Sequence, residues 1–249
     1  MTTRATPLLL LHTWGGSAAT WGPALGHLGV GGRHLKALDL PGHGARASEP
    51  FTVDGAVEAT VEAASAYADG AGSVDVAGSG LGALVALALA QRHPDRVRSL
   101  TLVGFPPAGG AEAARRPADT RAALERDGAA LFARNYVDST LLSADPAHRD
   151  LLRRAMAGTR PEVLLDSLRA TLGWTAHTQA GPLTVPCQVL RGARDHRVSA
   201  ASADALAERL GGAGAVVPGA GHVAYLDEPE AFATVLAAFH DGLRTAPAD

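Results

Sequence analysis

The chain has 249 residues, 47% of them apolar and 4% aromatic, with a formal net charge of −3 and a pI near 6.4. That balance leaves no basic footprint for nucleic acid or an anionic membrane surface, and the single cysteine, Cys187, rules out an internal disulfide or a cysteine-based zinc site. The apolar content is ample for a sizeable core, which small aliphatic side chains rather than aromatics must fill.

In chain order, the apolar run 8–11 reads as a buried strand. It is too short for a signal segment or a membrane span, so a cytoplasmic protein is expected. A second strand is expected at 35–40, a helix at 53–68, a third strand at 74–77 and a helix at 81–92 that His93-Pro94 terminates. A fourth strand follows at 100–103. The stretch 106–182 breaks the alternation with charged, Ala-rich helical patterns at 119–135 and 145–157, and its Arg115-Arg116 and Arg153-Arg154 pairs read as solvated faces. Strands then return at 188–190, with Cys187 as a core thiol at its start, and at 215–217. Helices are expected at 200–210, closed by Gly211-Gly212, and at 229–243, opened by Asp227-Glu228-Pro229. Strands alternating with helices argue for an α/β fold with a mostly parallel sheet of about six strands, covered by helices on both faces. Residues 1–105 and 183–249 are expected to form the core and 106–182 a helical cap.

The third strand runs through Val74-Asp75-Val76-Ala77 into Gly78-Ser79-Gly80-Leu81-Gly82 and an apolar helix. A strand, a tight Gly-rich turn and a helix are the context of a nucleophile elbow. Four further signals flank it in order: His12-Thr13-Trp14-Gly15-Gly16, Asp39-Leu40-Pro41-Gly42-His43-Gly44, Gly192-Ala193-Arg194-Asp195 and Gly221-His222. Taken together these motifs resemble the α/β-hydrolase superfamily along almost the whole chain, most of all its small cofactor-free members such as 3-oxoadipate enol-lactonases and microbial esterases.

The resemblance implies that His222 is the catalytic histidine and Asp195 the acid that orients it. It makes the backbone N–H groups of Trp14 and Leu81 the oxyanion donors, and the 106–182 segment a cap over the pocket. Thr13 and Trp174 are expected in the substrate pocket, and His12, His43 and Asp39 in structural roles. One position departs sharply: Gly80 stands where the family carries its serine, and glycine cannot form an acyl-enzyme. Three readings follow. The first is a small-molecule enzyme that uses a His222–Asp195 dyad and an oxyanion hole without a serine, by lyase, isomerase, cyclase or decarboxylase chemistry or by direct attack of water. The second is a serine ester, thioester or lactone hydrolase whose nucleophile has been replaced at Gly80 or shifted to Ser79. The third is a ligand-binding pseudoenzyme. No metal or organic cofactor is implied, a small molecule is the expected partner, and self-association is left open.

Overall fold

The computed structural model describes residues 6–29, 33–68, 72–105, 110–173 and 180–245. Six strands form one parallel sheet: β1 (Leu8–Leu11), β2 (Leu35–Leu38), β3 (Val74–Ser79), β4 (Val97–Val103), β5 (Cys187–Gly192) and β6 (Ala213–Val217), in the order β2-β1-β3-β4-β5-β6. All six expected strands are present. Four run longer than their apolar runs, because polar and small residues such as Ser99, Gly78 and Ser79 still pair in the ladder. The second strand is shorter than expected and ends at Leu38.

The period of two along a strand divides the core. Leu9, Leu11, Val76, Leu100, Leu102 and Val189 pack on one face of the sheet with helices α2 (Val53–Tyr67), α3 (Leu81–Arg92) and α7 (Ala200–Leu210). Leu8, Leu10, Ala77, Val103, Leu190 and Val217 pack on the other face with α1 (Gly22–Leu28) and α9 (Pro229–Thr245). Helix α3 is buried from Leu81 to Ala90 on all sides, which explains its lack of a polar stripe. Helix α1 escaped the sequence reading, since its Gly-Pro start and two glycines mask a single turn pair that tertiary packing holds. Cys187 is buried as expected, and burial pushes its thiol pKa up to about 12.

Between β4 and β5 lie α4 (Gly110–Thr140), α5 (Pro146–Ala157) and α6 (Pro161–Gly173), with no strand among their described residues. Helix α4 is broken at Gly128, where φ is +71°, so the expected continuous helix at 119–135 is two helices meeting at a kink. The short α8 (Ala224–Asp227) links the loop of His222 to α9. No helix among the described residues is long and apolar enough to cross a membrane.

At the amino end of the sheet, Asp75 is fully buried in β3. Its carboxylate accepts from Arg98 Nε at 2.9 Å and Nη2 at 2.7 Å, and also from Arg33 and the Ser99 hydroxyl. Arg33 also contacts His240 Nδ1 at 2.7 Å, and burial, reinforced by the Arg33 charge, pushes the pKa of His240 down to about 4. This network lies at the opposite end of the strands from the site described below and closes the bottom of the sheet. Removing one partner of a buried ion pair strands the others. Asp75→Ala is therefore expected to lower stability by about 3 kcal/mol or more, read as a fall in Tm of roughly 10 °C; an unchanged Tm would refute this account of the network.

Candidate active site

The carboxyl ends of the parallel strands converge on one cavity of about 210 Å³, where ligands of open α/β sheets bind. Its walls are Thr13 and Trp14 after β1, Gly80 and Leu81 after β3, His196 and Arg197 after β5, and His222 after β6. Ala113, Arg116 and Tyr136 of α4 and Leu168, Thr171 and Leu172 of α6 complete them.

The turn between β3 and α3 is dictated by close approach. A Cβ on Gly78 would lie 2.1 Å from the Gly82 carbonyl oxygen, and one on Gly82 would lie 2.3 Å from the Leu11 oxygen. Neither position tolerates a side chain. Gly80 differs. Its backbone sits at φ +51° and ψ −106°, a conformation that strains any L-residue. Yet the nearest atoms to a Cβ there would all belong to Thr13, its Oγ1 at 3.0 Å and its Cα and Cβ at 3.9 Å. The backbone therefore holds a strained attitude although the space in front of it would accept a side chain. The Gly80 N–H donates to the Val103 carbonyl at 3.0 Å and the Gly82 N–H to the His12 carbonyl at 3.0 Å, which pins the turn from both sides. Ser79 is the last residue of β3, paired with Val103 and 1% exposed, and it is not among the residues lining the cavity.

His222 Nδ1 donates to Asp195 Oδ2 at 3.0 Å, and the other oxygen, Oδ1, accepts from the N–H groups of Arg197 at 2.8 Å and Val198 at 3.1 Å. Burial opposes the charge on Asp195, but the His222 hydrogen bond, the His222 charge and the two backbone donors outweigh it and hold its pKa below the ordinary value. The Asp195 acceptor fixes the tautomer of His222 with the proton on Nδ1, leaving Nε2 as the basic nitrogen of a ring that lines the cavity. Sequence reading placed His222 and Asp195 together, and they are hydrogen-bonded. The loop that carries His222 is tied down by Asp227, which accepts from the Gly221 N–H at 2.9 Å and from Leu142 and Ser143 at 2.6 and 2.8 Å. Burial pushes the Asp227 pKa up, with these three donors acting against it.

Leu81 opens α3, so its N–H belongs to the first turn, whose donors have no intrahelical acceptor. Trp14 is 6% exposed, its ring held edge-on to Tyr136 at 5.1 Å and its Nε1–H donating to the Leu164 carbonyl of α6 at 2.9 Å. His12 is structural, as expected: Nδ1 donates to the Thr13 carbonyl at 2.9 Å and Nε2 accepts from the Leu40 N–H at 3.1 Å. Burial, then the neighbouring His43, push its pKa down to about 3, so the ring stays neutral. Asp39 fixes the loop after β2 through the N–H groups of Ala18 and Ala45, at 2.7 and 2.9 Å. His43 is buried against His12 and Phe51.

Trp174 falls outside the described residues. Arg116, read from sequence as part of a solvated face, lines the cavity instead. A pair of adjacent arginines on a helix points in two directions about 100° apart, so one can face inward while the other faces solvent. Tyr136, His196 and Arg197 were not singled out from sequence either. His196 and Arg197 directly follow Asp195, and that adjacency was the available signal.

An all-parallel sheet, a Gly-rich turn at the end of its third strand and an acid–histidine pair on the later loops define the class: an α/β protein with a hydrolase-type site. A sequence profile described as the alpha/beta hydrolase family matches residues 8–235. The chain belongs to that family and is an α/β-hydrolase-fold enzyme. It is 30% identical to a pimeloyl-acyl-carrier-protein methyl ester esterase of Neisseria meningitidis serogroup A, over 96% of this chain and 78% of the relative. The enzyme of the same description from Chromobacterium violaceum is 30% identical over 92% of each chain. Among solved structures, the enol-lactonase of Burkholderia xenovorans LB400 superposes with a TM-score of 0.80 at 20% identity, covering 96% of this chain and 92% of that one. A hydrolase from Pseudomonas aeruginosa PA01 gives 0.78 at 24% identity, covering 94% and 90%. At these identities the structural likeness speaks for the fold.

Proposed function

We propose that the protein hydrolyses a small carboxylic ester without an acyl-enzyme, using water that His222 activates in the place left open at Gly80. The observation that carries this reading is the unfilled space before Gly80, beside the Thr13 hydroxyl, in the cavity that His222 also lines. An ordered water needs two to four polar partners, and the Thr13 Oγ1 and His222 Nε2 are of the right kind. The water proton passes to Nε2 as its oxygen bonds to the ester carbonyl carbon. The N–H groups of Trp14 and Leu81, the latter with the dipole of α3 behind it, hold the oxyanion that forms. The tetrahedral intermediate then collapses: the C–O bond to the alcohol breaks, and His222 returns the proton to the leaving alkoxide. Acid and alcohol are the products, and the atoms balance.

Asp195 keeps the imidazole oriented and stabilises its protonated form throughout. Segment 106–182 acts as the cap that bounds the substrate, with the Trp14–Leu164 hydrogen bond as one of its attachments to the core. The ester bond itself, rather than a non-hydrolytic reaction on a carbonyl compound, is favoured by the methyl ester esterases among the relatives, and an acyl group borne on a carrier protein is one form such an ester takes. The purified protein is expected to hydrolyse short p-nitrophenyl esters with linear progress curves and no burst, and to resist covalent labelling by a fluorophosphonate. A burst with an adduct on Ser79 would replace this reading with that of a displaced serine.

A further inference from the structure

We infer that the cavity selects an ester whose acyl chain ends in a second, anionic carboxylate, and that Arg197 is the residue that recognises it; this rests on the ester-hydrolase reading above. The lining includes Arg116 and Arg197, and no Asp or Glu among the described residues. On the helices between β4 and β5 arginines are matched with carboxylates: Arg149 and Arg153 with Asp138, Arg126 with Asp127 and Arg169 with Asp166. Arg197 makes no such pair among the described residues. It is instead held by neutral groups. Its Nη2 donates to the Thr140 hydroxyl at 2.7 Å, and its guanidinium carbon lies 5.3 Å from the centre of the Tyr136 ring. These contacts set its position, and one bond to Thr140 leaves most of the five donors for a ligand.

The other charged group of the site, Asp195, does not answer this charge. Its oxygens are taken by His222 and by the backbone N–H groups of Arg197 and Val198, and it lies behind the imidazole rather than in the wall. A cavity with a cation held as Arg197 is, and no anion among its described lining residues, focuses negative charge. The planar fork of a guanidinium matches the two oxygens of a carboxylate. The ester end must lie against Gly80, Trp14 and Leu81 for attack, so the carboxylate belongs at the opposite end of the acyl chain. The monoester of a short dicarboxylic acid has this chemistry.

Calorimetric titration of the unaltered protein with monomethyl glutarate, an anion at neutral pH, and with neutral dimethyl glutarate tests the inference without requiring turnover. The monoester is expected to bind about tenfold or more tightly than the diester. Arg197→Gln is expected to remove that preference and Arg197→Lys to restore part of it, with both variants checked for an unchanged fold by circular dichroism. Equal affinities for the two esters, a preference for the diester, binding of neither, or a preference that survives Arg197→Gln would each overturn the inference. Hydrolysis is read separately on the same two esters. Binding that depends on Arg197 without turnover would keep the charge selection and sink the hydrolase reading. Turnover of both esters with equal kcat/KM would do the reverse.

Discussion

Gly80→Ser is expected to convert the protein into a serine esterase, with hydrolysis of p-nitrophenyl esters rising by roughly a thousandfold or more. The magnitude follows from serine hydrolases, where losing the nucleophile costs on the order of 10⁶ in kcat and a residual activity survives on the oxyanion hole and binding alone. The remaining parts are in place. The backbone at residue 80 already adopts φ +51° and ψ −106°, so the new residue inherits the strained attitude of a nucleophile. Its Cβ would meet Thr13 Oγ1 at 3.0 Å, a contact that a small rotation of the threonine relieves. His222 is already oriented by Asp195. The strain that glycine avoids would return, so a modest fall in Tm should accompany the gain in rate. Stopped-flow measurement of product release checks both the rate and the burst expected of a covalent intermediate. A folded Gly80→Ser protein no faster than its parent would show that the turn does not present residue 80 to the ester.

The second large effect belongs to His222. In the unaltered chain it is the only cavity-lining group of the acid–histidine pair, and general base catalysis contributes roughly 10² to 10⁴ in rate. His222→Ala is expected to remove nearly all ester hydrolysis. Asp195→Asn is expected to act in the same direction through His222, since an amide at that position either loses the hydrogen bond or turns the imidazole to the wrong tautomer. The variants differ in a readable way. Imidazole added in solution should restore part of the activity of His222→Ala, because it can fill the vacated space, and should do nothing for Asp195→Asn. Retention of full activity in His222→Ala would exclude the dyad from the reaction.

The sheet was legible in the sequence because each strand carries a short apolar run, whole in Leu8–Leu11 and embedded among polar residues in Val97–Val103. The elbow was legible for a different reason. Gly78 and Gly82 are demanded by backbone contacts of 2.1 and 2.3 Å, so their spacing marks the turn whatever residue stands at 80. That Asp195 and His222 come together was readable from the loops that carry them. The cavity wall was not. Arg116 and Arg197 reach it from α4 and from the loop after β5, elements separated by long stretches of chain, and only the folded packing brings them together. The kink at Gly128 and the buried network around Asp75 were missed on the same ground. An arginine that will be buried looks, in sequence, like one that will be solvated.

One view of the chemistry also sharpened. Sequence reading placed non-hydrolytic reactions beside direct attack by water, with a serine hydrolase as the alternative; the esterase relatives favour hydrolysis, the chemistry of that alternative. The central claim is that the space before Gly80 is the seat of the nucleophile. It is tested most directly by treating Gly80→Ser with a fluorophosphonate and mapping the adduct by peptide mass spectrometry. A single adduct on residue 80, absent from the unaltered protein and lost when His222→Ala is added, is the result this account predicts. An adduct on Ser79, or a folded Gly80→Ser protein that takes no label, would contradict it.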